Sequence, residues 1–315
     1  METLGASSNL LINPFPIVLP PKTCLKPILT RLALYPAPVR IIAFLLLVVG
    51  VWLPFAAPIA LLVRDANQVT IFTMSLLFVA FLLLIRVWGK RVQGDRRIFQ
   101  TYGLVFSKQN GRELLLGLAI GLLSLFFLFG VQSSLGWVEW QAFAPPLRIG
   151  LEGGVMALGV GFAEELVFRG WIYNELRRDY SPKTVLWADS LIFACLHFIK
   201  SPAELIRTFP QFPGLVLLGL ALVWAKRSTA VPRPAADPRC PQGRVGLAIG
   251  LHAGLVWGYY MVNVGNLIRY SGRVPMLLTG IDRNPLAGAI GLLFLGGLAS
   301  LMAWQSRRGS FFFDR

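Results

Sequence analysis

The sequence predicts an all-α fold, a polytopic membrane helical bundle of about eight transmembrane helices. Hydrophobic residues make up 55% of the 315 residues and charged residues only 14%. The mean hydropathy of +0.63 is higher than that of soluble domains. Long apolar segments follow one another along the chain, and the basic residues between them are unevenly distributed. These observations together predict an integral, multi-pass membrane protein.

The eight predicted segments divide the chain into a bundle and two flanking parts. Residues 1–39, rich in proline, are predicted to be a cytoplasmic N-terminal extension, 40–304 the transmembrane bundle, and 305–315 a cytoplasmic tail. Two segments are short for a bilayer core that needs about 20 residues. The segments are placed near 41–63, 68–88, 113–135, 149–168, 184–199 (short), 211–225 (short), 245–263 and 285–304.

The formal net charge of +15 is explained by membrane topology. With the N-terminus and the C-terminus both inside, 22 of the 30 Lys and Arg residues lie in five cytoplasmic segments and 7 in the outer loops. This asymmetry follows the positive-inside rule. Because the basic residues form no stripe with aromatic side chains, no nucleic-acid partner is predicted. Membrane lipid is an expected partner, and the oligomeric state stays open.

Two adjacent carboxylates and an arginine end the fourth apolar segment, at Glu164, Glu165 and Arg169. A charged residue inside a bilayer costs roughly 2.5–3.5 kcal/mol on insertion scales, so such a cluster indicates a functional site. On a helix Glu165 and Arg169 are four residues apart and can pair. Glu164 lies about 100° away around the helix axis and has no such local partner.

The chain has only two histidines, His197 and His252, and both fall inside predicted membrane helices. Imidazoles and carboxylates bind zinc and transfer protons near neutral pH, so the two histidines and the two glutamates predict one site. By the predicted boundaries, however, Glu164 lies near the cytoplasmic end of its helix and His197 near the outer end of the next. Asp189, eight residues before His197, is expected to be a solvated residue at a helix start.

The seventh segment has a repeated small-residue face. Gly246, Gly250, Gly254 and Gly258 recur every four residues. This spacing predicts close packing against another helix. His252 lies about 200° around the helix from this face, so its imidazole is expected to point elsewhere.

These residues resemble three ordered motifs of the CPBP intramembrane metalloproteases, a family that includes the type II CAAX prenyl endopeptidases. The resemblance covers about residues 113–304. Its motifs are Glu164-Glu165-x-x-x-Arg169, Phe193-x-x-x-His197, and His252 within Gly-Leu-His-Ala-Gly.

The resemblance implies an intramembrane endopeptidase that cleaves a membrane-embedded or lipid-anchored protein. Glu164 would activate a water molecule, and Glu165 and Arg169 would support it. His197 and His252 would stabilise the oxyanion, or would bind a metal, zinc, together with Glu164. Either arrangement suits peptide hydrolysis.

One residue departs from the family pattern and keeps a second hypothesis open. The third motif usually has Asn or Asp four residues after the histidine, where this chain has Val256. Trp257 and Tyr260 are alternative donors. The departure motivates a non-proteolytic membrane scaffold or assembly factor with the same fold. A proton or ion transporter that uses the buried Glu and His residues is a third hypothesis.

Overall fold

The computed structural model describes residues 28–141, 147–230 and 243–308. Most of the predicted N-terminal extension, residues 1–27, lies outside the described residues. So do residues 231–242 of the predicted cytoplasmic loop and residues 309–315 of the predicted tail.

The described chain is almost entirely helical, which confirms the all-α prediction. Its α-helices are α1 (Ile28–Leu32), α2 (Ala37–Leu62), α3 (Ala66–Trp88), α4 (Ile98–Thr101), α5 (Lys108–Ser134), α6 (Leu147–Glu165), α7 (Tyr173–Arg177), α8 (Pro182–Leu196), α9 (Pro202–Thr208), α10 (Phe212–Ser228), α11 (Gly246–Asn263), α12 (Met276–Thr279) and α13 (Ala289–Arg308). Two π-helices span Gly89–Gln93 and Leu166–Ile172, and three 3₁₀ turns span Phe209–Gln211, Ile281–Arg283 and Pro285–Ala287. Two short strands, β1 (Val138–Trp140) and β2 (Ile268–Tyr270), pair antiparallel.

Each of the eight predicted segments corresponds to a helix, but the count of eight transmembrane spans is not confirmed. By length and composition, five helical stretches among the described residues could cross a membrane, at 37–62, 66–93, 108–134, 202–228 and 289–308. Helices α6 and α11, which bear the two adjacent glutamates and His252, are not among them. Neither is α8, which ends at Leu196, so that His197 lies directly after this helix and not inside it as predicted. The predicted short segment 211–225 is part of a continuous helical stretch, because α9, a 3₁₀ turn and α10 join end to end.

The glycine face of α11 packs against α5, which confirms the small-residue prediction. A Cβ on Gly250 would lie 2.7 Å from the Leu118 nitrogen and 2.8 Å from the Leu114 carbonyl carbon, and one on Gly254 would lie 2.8 Å from the Leu122 nitrogen. Only glycine permits backbones this close. Another face of α11 packs against α6, so α11 lies between these two helices.

A buried ion pair attaches the α2–α3 hairpin to the rest of the bundle. Arg40 on α2 donates from Nε to Glu175 Oε2 on α7 at 2.7 Å, and the two side chains are 2% and 0% exposed. Trp88 Nε1 and Gln93 Nε2 donate to Glu175 Oε1 at 2.7 and 2.6 Å. Since a buried carboxylate needs such partners, this cluster fixes the hairpin against α7.

The β1–β2 sheet lies at the opposite end of the bundle from α7. Glu139 faces Arg269 across the strands, and the guanidinium donates to the carboxylate at 2.6 Å. This contact holds the pKa of Glu139 below its usual value. Both side chains are exposed, as expected for an interfacial charge.

Candidate active site

The site forms between two antiparallel helical stretches that meet at a short turn. One stretch runs from α6 through a π-helix into α7, and α8 returns from the turn at 178–181. Glu164 lies 16 residues before Tyr180 and His197 lies 17 residues after it. Residues at similar distances from the turn of an antiparallel hairpin lie at similar depth.

This hairpin corrects two predictions made from the sequence. The fourth segment does not end at 168 but continues to Arg177, so Glu164 lies within the helical stretch and Arg169 is not a loop residue. Glu164 and His197 therefore do not lie at opposite ends of the bundle. Their carboxylate Oε2 and imidazole Nε2 are 3.5 Å apart.

The π-helix after Glu165 bears the arginine of the first motif. A π-turn leaves backbone carbonyls without their regular helical partners, and such turns are frequent at functional sites. Here side chains donate to two carbonyl oxygens of the π-helix. Lys226 Nζ on α10 donates to the Arg169 oxygen at 2.5 Å, and Asn174 Nδ2 donates to the Gly170 oxygen at 2.6 Å.

Glu164 lies between the two histidines. Its Oε2 is 3.5 Å from His197 Nε2 and 3.9 Å from His252 Nε2. That oxygen is buried and has no hydrogen-bond partner within the described residues, although the side chain as a whole is 30% exposed. The free carboxylate expected from the sequence is thus directed at both imidazoles.

Both imidazoles are oriented through Nδ1. His197 Nδ1 lies 2.7 Å from the Phe193 carbonyl oxygen, and His252 Nδ1 lies 2.9 Å from Glu165 Oε1. A carbonyl or carboxylate oxygen only accepts, so in each ring Nδ1 bears the proton. The Nε2 atoms that face Glu164 are then free to bind a metal, or to donate when the ring is protonated.

Glu165 and Arg169 form the support for His252. Glu165 is fully buried, and its Oε1 accepts from both Arg169 Nη1, at 3.1 Å, and His252 Nδ1. The structure thus contains the predicted pairing of Glu165 with Arg169. The guanidinium also lies over the Phe193 ring, 4.4 Å from its centroid. The charges of the first motif are therefore connected to the histidine of the third.

Asp189 is a member of the site that the sequence analysis did not predict. It is fully buried on α8, with Oδ2 3.5 Å from Arg169 Nε. The expectation of a solvated residue at a helix start is wrong, because α8 begins at Pro182 and Asp189 lies on its buried face. The available signal was an acidic residue inside the apolar run 184–199.

A mainly apolar cavity adjoins the site at His252. It encloses about 720 Å³ of empty space, including the part open to the surroundings, between α5, α10, α11 and α13. Its lining includes Ser124, Leu218, His252, Val256, Phe294 and Leu298. Val256 thus places an isopropyl group in the wall where the family pattern has an amide or a carboxyl group.

The two alternative donors proposed from the sequence face elsewhere. Trp257 Nε1 donates to the Gly150 carbonyl oxygen at 3.0 Å. The ring of Tyr260 packs against Gly153 on α6, where a Cβ would lie 3.0 Å from ring atom Cε1. Neither lines the cavity beside Val256.

Glu164, His197 and His252 are side chains of the types that bind zinc, but they are not arranged around a single ion position. Within the described ranges, no three His, Cys, Asp or Glu side chains are grouped so that they could hold a metal ion. Ligand atoms of a tetrahedral zinc lie roughly 3.3 Å apart, as bond lengths of about 2.0–2.1 Å require. The Glu164 to His197 separation is close to this value, and the Glu164 to His252 separation is longer. The Nδ1–H bonds of both rings are those that metal-binding histidines make.

One family model matches the central part of the chain. Residues 146–234 match the model of the family described as type II CAAX prenyl endopeptidase Rce1-like. The match includes Glu164, Glu165, Arg169 and His197 but ends before His252. Neither the curated proteins nor the solved structures contain a match to the chain.

Proposed function

Because residues 146–234 match the model of the type II CAAX prenyl endopeptidase Rce1-like family, we propose that this protein is an intramembrane endopeptidase. It would hydrolyse a peptide bond in a membrane-embedded or lipid-anchored protein, with prenylated CAAX-type proteins as the first substrate class to test. The observation that carries the proposal is the Oε2 atom of Glu164, which is buried, has no hydrogen-bond partner among the described residues, and lies beside two oriented imidazoles.

Glu164 is the group that would activate water. A water molecule between its Oε2 and the two Nε2 atoms would lose a proton to the carboxylate as its oxygen attacks the peptide carbonyl. The same proton would then pass from Glu164 to the amine that leaves. The carboxylate is thus regenerated, and the two products gain the atoms of one water molecule.

His197 and His252 would stabilise the negative charge that develops on the carbonyl oxygen. When protonated at Nε2, each ring is a donor fixed in advance by its Nδ1 bond, and a fixed donor costs no reorganisation during the reaction. Glu165 orients His252, and Arg169 orients Glu165. Both residues therefore act through another side chain and do not contact the substrate.

Zinc is the cofactor that the donor set would accept, with Glu164, His197 and His252 as its ligands. When bound, it would supply a Lewis acid that lowers the pKa of water to about 7. The proposal of a metallo-enzyme is tested by the zinc content of protein purified in detergent. The expected result is about one zinc per chain, lost in His197→Gln and His252→Gln.

The cavity beside His252 supports a membrane substrate. Its walls are mainly aliphatic and aromatic side chains, and such walls accept a hydrocarbon chain or an apolar peptide segment better than a polar one.

The test compares new protein termini in membranes of cells that express the wild type or Glu164→Gln. Mass spectrometry should find peptides with new carboxyl termini that depend on the wild type and fall at least about 10³-fold in the variant. Glu152→Gln is the matched control, because Glu152 lies on the same helix in an exposed ion pair with Arg148. New carboxyl termini of equal abundance in cells with the wild type and with Glu164→Gln would refute the proposal.

A second candidate function, a non-proteolytic scaffold, is favoured by Val256. An apolar side chain in the cavity wall removes a donor that the family pattern supplies, and one lost oxyanion donor costs about 10²–10³ in rate. The scaffold predicts that Glu164→Gln retains the in vivo function and the bound partners of the wild type. Loss of that function with the variant still folded would reject it.

A further inference from the structure

Asp189 is a buried carboxylate outside the three motifs, and the proposed hydrolysis does not use it. Its side chain is fully buried on α8, and neither oxygen has a hydrogen-bond partner within the described residues. The cation it faces is Arg169, whose Nε lies 3.5 Å from Oδ2. That Nε is also buried without a hydrogen bond. A buried charge is stable only when it is paired, so these two groups depend on each other.

The Arg169 guanidinium faces three helical stretches, with hydrogen-bond acceptors for Nη1 and Nη2 and a carboxylate opposite Nε. Nη1 donates to Glu165 Oε1 on its own helical stretch at 3.1 Å, and Nη2 donates to the Gly219 carbonyl oxygen on α10 at 3.1 Å. Nε faces Asp189 on α8. A planar group with three separate contacts cannot rotate or slide without losing at least one of them.

The position of the guanidinium determines the position of Glu165. Only the Oε1 oxygen of Glu165 has partners within the described residues, and it is shared between Arg169 Nη1 and His252 Nδ1. If the guanidinium loses its contact on α8, only Glu165 and the Gly219 carbonyl hold it, and it can shift toward Glu165. The carboxylate would then form a closer pair with Arg169 at the expense of His252.

We propose that Asp189 is a positioning residue that acts through Arg169 and Glu165 on the His252 imidazole. It holds the Nε edge of the guanidinium, so that Glu165 keeps accepting from His252 Nδ1. His252 Nε2 then faces Glu164. The kinetic consequence rests on the proposed function, whereas the consequence for the His252 ring does not.

The direct test uses the fact that the chain has only two histidines. Protein labelled with ¹⁵N in histidine gives two sets of ring signals by NMR, and His197→Gln assigns them. In Asp189→Asn, which keeps the side-chain volume and removes the charge, the His252 signals should move from the Nδ1–H tautomer toward a mixture of tautomers. The His197 signals should stay in place, because the Phe193 carbonyl holds that ring.

The matched control is Ser190→Ala, on the same helix. Ser190 is also fully buried, but among the described residues its hydroxyl donates to the Leu186 carbonyl oxygen of α8 and has no contact with the Arg169 guanidinium in the hydrogen-bond network. It should leave both sets of ring signals unchanged. If Asp189→Asn does not fold, Asp189→Ser provides a smaller polar side chain with the same loss of charge.

Peptidase kinetics provide the second readout. Loss of a residue that orients a ligand typically lowers activity 10–100-fold, so kcat of Asp189→Asn should fall by about this factor with KM unchanged. Unchanged His252 signals in a folded charge-removing variant would overturn the proposal. Equal changes in the ring signals of His197 and His252 would also overturn it, because that result indicates only a general loss of structure. If the protein cleaves no peptide, the histidine signals still decide the question.

Discussion

The close contact between α5 and α11 gives a quantitative prediction for Gly250→Ala. A Cβ at this position would lie 2.8 Å from the Leu114 carbonyl carbon and 2.7 Å from the Leu118 nitrogen, and closer still to the Leu114 oxygen. Carbon atoms in contact are normally about 3.5–4.0 Å apart, so α5 and α11 must separate by roughly 1 Å. The obstructing atoms are backbone atoms, which cannot rotate away.

The expected cost follows from this displacement. Overpacking a close contact costs about 1–3 kcal/mol, and we expect the upper half of that range because no side chain can yield. The midpoint of thermal unfolding in detergent should therefore fall by roughly 5 °C. Since His252 lies two residues along α11, a shift of about 1 Å should also lower peptidase activity around 100-fold.

Gly130→Ala on α5 is the matched control. A Cβ at Gly130 has no heavy atom within 4 Å. Alanine stabilises a helix interior by about 0.5–1 kcal/mol relative to glycine, so the midpoint of thermal unfolding should stay the same or rise slightly. If Gly250→Ala unfolds at the wild-type temperature and keeps full activity, the close approach of α5 and α11 is not a property of the protein.

Three further predictions concern the ion pairs and the cavity wall. Arg40→Ala should destabilise the protein by about 3 kcal/mol, since it removes the buried cation of Glu175 and leaves only the partly exposed Arg178, at 3.4 Å, to pair with that carboxylate; a melting midpoint within about 2 °C of the wild type would contradict this. Arg148→Ala should change stability by less than about 0.5 kcal/mol, because its pair with Glu152 is exposed to solvent that screens the charges. Val256→Asn should raise kcat by about 10²-fold by restoring a donor to the cavity wall, as measured on the termini found for the wild type; an unchanged rate would show that the donor is supplied elsewhere.

The helices and the local geometry of the first motif could be predicted from the sequence because both depend on residues close in the chain. Apolar runs long enough to span a bilayer indicate helices, and four-residue spacing puts Glu165 within reach of Arg169. The glycine spacing on α11 likewise predicts a packing face. Each of these features is present in the structure.

The depth of the site could not be predicted reliably, because it depends on where a helix ends. A helix end is marked by caps and loops rather than by the charges within it. The apolar run predicts a segment that ends near residue 168, whereas the helical stretch continues to Arg177. Once the turn at 178–181 is known, the numbering alone places Glu164 opposite His197.

The sequence by itself determined that the protein is a helical membrane protein whose two glutamates, arginine and two histidines form three ordered motifs. The tertiary structure decided which groups those charges meet. Asp189 pairs with Arg169, and Val256 lies in the wall of an apolar cavity. The physical reason is that a buried charge must be paired, and here part of that pairing comes from other helices whose positions no local pattern encodes.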